Sequence, residues 1–192
     1  FSLDGVAGTI NSATKAISVV MPFGTSVTSL IETFTTTGSQ VSVGGATQVS
    51  GLTSENYTSP VIYVVSAADA STSSYTVTVS IAPSSAKLLA AYSLSGVTGI
   101  INNANKTISV YLPYGSSVID LIATFTTTGA TINVGGTPQV SSTTSNNFTL
   151  PVVYTVTASD ASTASYTVTV TLAPSNEKLL TAFSISGIAG TI

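Results

Sequence analysis

The chain has 192 residues, enough for one large domain or two of about 90. Only 6% of them are charged, and four cationic side chains against a net charge of −3 exclude an electrostatic footprint for nucleic acid. With no Cys and no His, disulfides, thiolate chemistry and an imidazole base are excluded too. The mean hydropathy of +0.51 invites a membrane reading. Yet no apolar run approaches the roughly 18 residues of a spanning helix, so no membrane insertion of this segment is expected. The hydrophobicity is dispersed as alternation, and Ser and Thr keep the outward faces polar without charge.

Taken in order, the chain repeats itself. Phe1–Ile10 reads FSLDGVAGTI, Tyr92–Ile101 reads YSLSGVTGII and Phe183–Ile192 reads FSISGIAGTI, with a spacing of 91 both times. The first two copies align without a gap and 56 of 91 positions are identical, which indicates tandem duplication with one domain per repeat. Within a copy, Ile17, Val19 and Met21 alternate inward, as do Ile108, Val110 and Leu112. Pro22-Phe23-Gly24 breaks that strand. Val27, Leu30 and Ile31 have i, i+3, i+4 spacing, which suggests one helical turn or an irregular bend before extended chain at Phe34–Thr37. Val41 to Ser50 reads as a hairpin turning at Gly44-Gly45. A polar loop through Asn56 leads to Pro60–Val79, PVIYVVSAADASTSSYTVTV, whose second copy is Pro151–Val170. Each is two alternating runs joined by a short polar turn, a β-hairpin.

Seven or so short strands per repeat, with turn signals between them, give the pattern of an immunoglobulin-like sandwich. The fold expected is therefore all-β: tandem sandwiches over residues 1–82 and 87–173, short linkers at 83–86 and 174–177, and the first strand of a third repeat over 178–192. The Pro-containing linkers are too short for a flexible tether and predict a semi-rigid, rod-like arrangement.

The residues GTI, K-x-I-S-V, P-x-G, T-F-T-T-T-G, V-G-G, P-V-x-Y and D-x-S-T-x-x-Y-T-V-T-V resemble the bacterial immunoglobulin-like or cadherin-like repeats of large cell-surface proteins and adhesins. The resemblance covers the whole chain. It implies an extracellular, cell-surface module of a fibre, filament, stalk or adhesin. Such repeats usually carry Asp-Gly-Ser-Thr in the last hairpin. Here Ala70 and Ala161 replace the Gly, which favours a type I-like turn over one with positive φ.

Chemistry finds little material. The serines lack a base, and of the acids in the first repeat only Asp69 has an acidic counterpart, Asp160. Those two read as turn residues whose carboxylates accept local hydrogen bonds. No enzymatic activity and no cofactor are expected, and the junctions offer calcium no set of carboxylates apart from Glu177. Lys15/Lys106, Lys87/Lys178, Asn11/Asn102 and Asn56/Asn147 are matched across repeats, yet a Lys–Asn cross-link lacks a buried acid partner. Phe1/Tyr92, Phe23/Tyr114 and Tyr57/Phe148 exchange ring for ring, which reads as core packing; only Tyr111, aligned with Val20, falls on an outward face. The function expected is a structural repeat that self-associates or spaces a surface structure, its partners being other copies or neighbouring repeats. The candidate contact residues are Val20, Ile62, Val64 and Tyr111. The alternative is a module that binds surface glycans through its loops. Asn56, Asn105 and Asn147 match the Asn-x-Thr acceptor pattern for glycosylation.

Overall fold

The computed structural model describes residues 1–179, 181–189 and 191. The first repeat begins with two small hairpins, β1 (Ser2–Leu3) with β2 (Val6–Ala7), and β3 (Thr9–Asn11) with β4 (Ala16–Met21). There follow β5 (Leu30–Thr33), β6 (Gln40–Val43), β7 (Ala46–Thr47), β8 (Ser54–Glu55), β9 (Val61–Ser66) and β10 (Thr72–Ile81). The second repeat has the same ten: β11 (Leu89–Leu94), β12 (Val97–Thr98), β13 (Ile100–Asn102), β14 (Thr107–Leu112), β15 (Leu121–Thr127), β16 (Thr131–Val134), β17 (Thr137–Pro138), β18 (Ser145–Asn146), β19 (Val152–Thr157) and β20 (Thr163–Leu172). After it, β21 (Ser184–Ile185) and β22 (Ile188–Ala189) pair as a further hairpin.

Each repeat is a sandwich of a four-stranded and a six-stranded sheet. In the first the orders are β2-β1-β5-β8 and β3-β4-β10-β9-β6-β7, and the second repeats both. Splitting the opening strands between the two sheets, with β4 parallel to the last long strand β10, is the immunoglobulin-like arrangement. Ten strands rather than seven arise because two-residue strands such as β2, β7 and β8 cap the sheet edges. The chain divides into two compact units, Phe1–Ser84 and Ser85–Ile192. No helix among the described residues is long and apolar enough to cross a membrane.

Strand alternation makes the cores. Ile17, Val19 and Met21 of β4 are buried, with Tyr63 of β9 and Val77 of β10, against Leu3 and Leu30 of the opposite sheet. In the second repeat Ile108, Val110, Leu112, Tyr154, Val156, Tyr166 and Val168 face Tyr92 and Leu94. Each fully buried aliphatic side chain contributes about 1.5–3 kcal/mol. A tyrosine centres each aromatic cluster. Tyr63 meets Phe1 edge-on at 5.5 Å and Phe34 at 6.5 Å; Tyr154 meets Tyr92 at 5.4 Å and Phe125 at 6.0 Å.

One local expectation is settled between its alternatives and another is corrected. Of a helical turn and an irregular bend at Val27–Ile31, the chain takes the bend, at Thr28-Ser29, and Leu30 then opens β5, where Leu30 and Glu32 are buried while Ile31 and Thr33 face outward. The period-two pattern holds there because both edges of Leu30–Thr33 are paired, with β1 and with β8. The last hairpin does contain positive φ, +65° at Ala70 and +66° at Ala161. A type I-like turn closes from the Ala70 amide to the Ala67 carbonyl (3.1 Å), and Ala70 itself must then turn left-handed so that Ala67 can donate to the Ser71 carbonyl (2.9 Å). The same bonds recur at Ala158, Ala161 and Ser162. At Gly44 and Gly45 both φ angles are positive, a type I′ turn between β6 and β7.

Candidate functional site

The polar turns are built by side chains accepting from the backbone. Asp69 Oδ1 accepts from the Ser71 amide (3.0 Å) and hydroxyl (2.6 Å), and Asp160 binds Ser162 in the same way. The serine hydroxyls and amides hold both carboxyls below the usual aspartate range. Asn56 and Asn147 are exposed, and their Oδ1 atoms accept from the amides of Thr58 and Thr149 at 3.0 Å. Asn105 is exposed in the β13–β14 turn, where its amide donates to Asn102 Oδ1. Lys15 and Lys106 lie over the rings of Tyr75 and Tyr166, 5.1 Å from each centroid.

Buried polar groups cluster in the first sandwich. Glu32 has no exposed surface, and its Oε1 accepts from the Thr53 hydroxyl. Gln48 Nε2 donates to Glu55 Oε1 at 2.9 Å, and the Tyr57 and Tyr63 hydroxyls are 2.5 Å apart. Burial pushes both tyrosines well above the usual tyrosine range. The second sandwich replaces this cluster by Ala123, Asn146 and Phe148, and Asn146 Nδ2 donates to Gln139 (2.8 Å) and the Tyr154 hydroxyl (3.1 Å). Among the described residues no three carboxylates gather where a cation could sit.

Of the outward apolar residues, Val20 and Ile62 lie apart across the sheet. Val20 and Ile62 are 59% and 55% exposed and Tyr111 60%, while Val64 is half-buried. Between β4 and β9 runs β10, where Val20 lies beside Ser80 and Ile62 beside Thr76. Four residues of strand separate them, about 13 Å. Around them the outer face of β10 carries Ser74, Thr76, Thr78 and Ser80.

Exposed aromatics lie in a loop that the ring-exchange argument assigned to the core. Phe23 and Tyr114 are 66% and 61% exposed. Pro22-Phe23-Gly24-Thr25 is a turn closed from the Thr25 amide to the Pro22 carbonyl at 3.2 Å, with φ +82° at Gly24; Pro113–Ser116 copies it. Positive φ at the third position makes these type II turns, which lift the second residue's side chain into solvent. The signal was present in the Pro-aromatic-Gly spacing. In the second repeat Tyr111 stands three residues before Tyr114, so two exposed tyrosines share one strand end. Exposed rings with polar Ser/Thr surroundings can stack on the C–H faces of sugars while hydroxyls meet hydroxyls.

No curated protein matches the sequence. Among solved structures, the chain is similar to a crystal structure from Bacteroides thetaiotaomicron named "putative glycoside hydrolase", with 27% identity and a TM-score of 0.37. The match covers 55% of this chain and 30% of that one, so the chain spans under a third of that protein's length. A family model matches residues 1–79 and again 89–170, one match per sandwich. Of the expected resemblance, the tandem sandwich is what this match shares; the family matched is named for a different group of proteins than cadherin-like or adhesin repeats. Matched over both repeats, the chain belongs to the family described as SGBP, N-terminal, the N-terminal module of surface glycan-binding proteins.

Proposed function

We propose that the chain is a non-enzymatic module of a cell-surface glycan-binding protein and that it touches carbohydrate through the Pro-aromatic-Gly loops. The observation that carries this reading is the family match over each sandwich in turn. The exposed rings of Phe23, Tyr111 and Tyr114 supply stacking surfaces, and a chain with only 6% charged residues suits a neutral polysaccharide. The second sandwich, with two tyrosines against one phenylalanine, is the stronger binder in this reading.

A glycan array followed by polysaccharide affinity electrophoresis tests it. Saturable retention by one sugar class is expected, weakened up to about tenfold by Tyr114→Ala and further by Tyr111→Ala. Retention by no sugar class, or retention that both substitutions leave untouched, would refute the loop site. A second reading, a spacer that holds another binding domain off the cell surface, is favoured by one observation: only the seven residues Ala82 to Leu88 stand between β10 and β11. It predicts sugar binding by no part of this chain.

A further inference from the structure

Glu32 and Glu55 lie on the inward face of neighbouring strands. β5 and β8 pair as Leu30 with Glu55 and Ile31 with Ser54. Leu30 and Glu32 point the same way, so the two carboxylates are diagonal neighbours, within reach of each other for side chains this long. Gln48 joins them from the segment after β7. Its Nε2 donates to the Ala46 carbonyl at 3.3 Å and to Glu55 Oε1 at 2.9 Å. Both amide protons are then used, and Gln48 Oε1 is left buried without a donor. Glu32 Oε2 is likewise buried without a donor, while the Thr53 hydroxyl takes its Oε1.

An ionised carboxylate out of water is costly unless a cation compensates it. The first sandwich has little to offer. Lys15 is the only Lys or Arg in residues 1–84, and its Nζ sits 5.1 Å over the Tyr75 ring and 3.4 Å from the Tyr75 hydroxyl. The second sandwich builds the same place without charge. There Ala123 stands for Glu32, Asn146 for Glu55 and Phe148 for Tyr57. Asn146 Nδ2 donates to Gln139 Oε1 at 2.8 Å, so the matching glutamine is satisfied. Exchanging both acids for neutral residues therefore keeps the fold and removes the orphaned acceptors.

We propose that Glu32, Glu55 and Gln48 hold a hard divalent cation, calcium, inside the first sandwich. The donors are oxygen throughout, which selects a hard ion. Two carboxylates and one amide carbonyl offer up to five oxygens, and the two negative charges balance a divalent ion. Calcium accepts carboxylates through one or both oxygens, amide carbonyls and water in a flexible geometry. Magnesium demands a near-ideal octahedron and keeps more of its water. Glu55 is half-buried on β8, the edge strand of its sheet, which gives the ion and a water ligand a way in.

Isothermal titration of calcium into chain stripped with EDTA and desalted tests this. One calcium per chain is expected, because the first sandwich alone carries the acid pair. Glu32→Ala and Glu55→Asn, each the residue found at the matching place in the second sandwich, should weaken binding at least about tenfold with circular dichroism unchanged. Scanning calorimetry gives a second readout. In EDTA, Glu32→Gln should melt above the native chain, since an uncompensated charge is gone; in saturating calcium the order should reverse. No calcium uptake at millimolar concentration, two equal sites per chain, or uptake that both substitutions leave unchanged would overturn the proposal. So would a thermal shift that sodium at matched ionic strength reproduces, since that is screening.

Discussion

Ala70→Gly should stabilise the first sandwich, and Ala161→Gly the second. Both alanines sit at positive φ, +65° and +66°, forced there by the turn hydrogen bonds on either side. A left-handed conformation costs a residue with a Cβ roughly 1–2 kcal/mol that glycine does not incur. Against this, glycine loses about 0.4–1 kcal/mol more backbone freedom on folding. The net expectation is about 0.5–1 kcal/mol of added stability per hairpin. For a sandwich of this size that raises Tm by roughly 2–8 °C. Scanning calorimetry of the single and double variants would show each substitution moving its own sandwich, with additive effects in the double. Ala68→Gly is the control, being one residue from Asp69 in the same turn and not at positive φ. It should lower stability slightly, because only the entropic loss remains. If Ala70→Gly lowers Tm by as much as Ala68→Gly, the left-handed alanine carries no strain and the reasoning fails.

Two further outcomes are expected. Tyr57, Tyr63, Tyr92 and Tyr154 are buried and their hydroxyls raised mainly by desolvation, so they keep their protons in the fold while the unfolded chain releases them near pH 10. Stability is then complete below about pH 10 and falls above it, by up to about 1.4 kcal/mol per pH unit for each such tyrosine. Tyrosinate absorbance from those four should appear together with loss of circular dichroism, and titration of all eight tyrosines with the fold intact would contradict it. Leu89→Ala should cost the second sandwich about 2–5 kcal/mol, since Leu89 has no exposed surface. A cost under about 1 kcal/mol by chemical denaturation would mean that Leu89 does not carry that part of the core.

Much of the fold was legible because alternation with period two leaves little choice. The inward sets at Ile17–Met21 and Ile108–Leu112 are the buried ones, and the Pro60–Val79 hairpin is β9 and β10. Misreadings arose where two patterns competed within a few residues. At Leu30-Ile31 an i, i+3, i+4 coincidence concealed a four-residue strand, and only pairing with β1 and β8 decides which way each side chain points. At Phe23 and Tyr114, ring-for-ring exchange reads as burial, but an exposed position tolerates such exchange equally well. The turn chemistry of Pro-x-Gly held the better information. The polar interior around Glu32 was hidden for a different reason, since its aligned residue is Ala123 and nothing local marks a carboxylate as buried.

The duplication separates what a segment's own residues dictate from what its neighbours add. Phe34–Gly38 and Phe125–Gly129 are identical in sequence, so their different pairing cannot come from propensity. In both, the glycine is held close: a Cβ on Gly38 would lie 2.5 Å from Val65 Cγ1, and one on Gly129 2.3 Å from Val156 Cγ1. That end of the segment is fixed by its own sandwich and is the same twice. The other face differs, and it is the face that Leu88 and Leu89 touch in the second repeat.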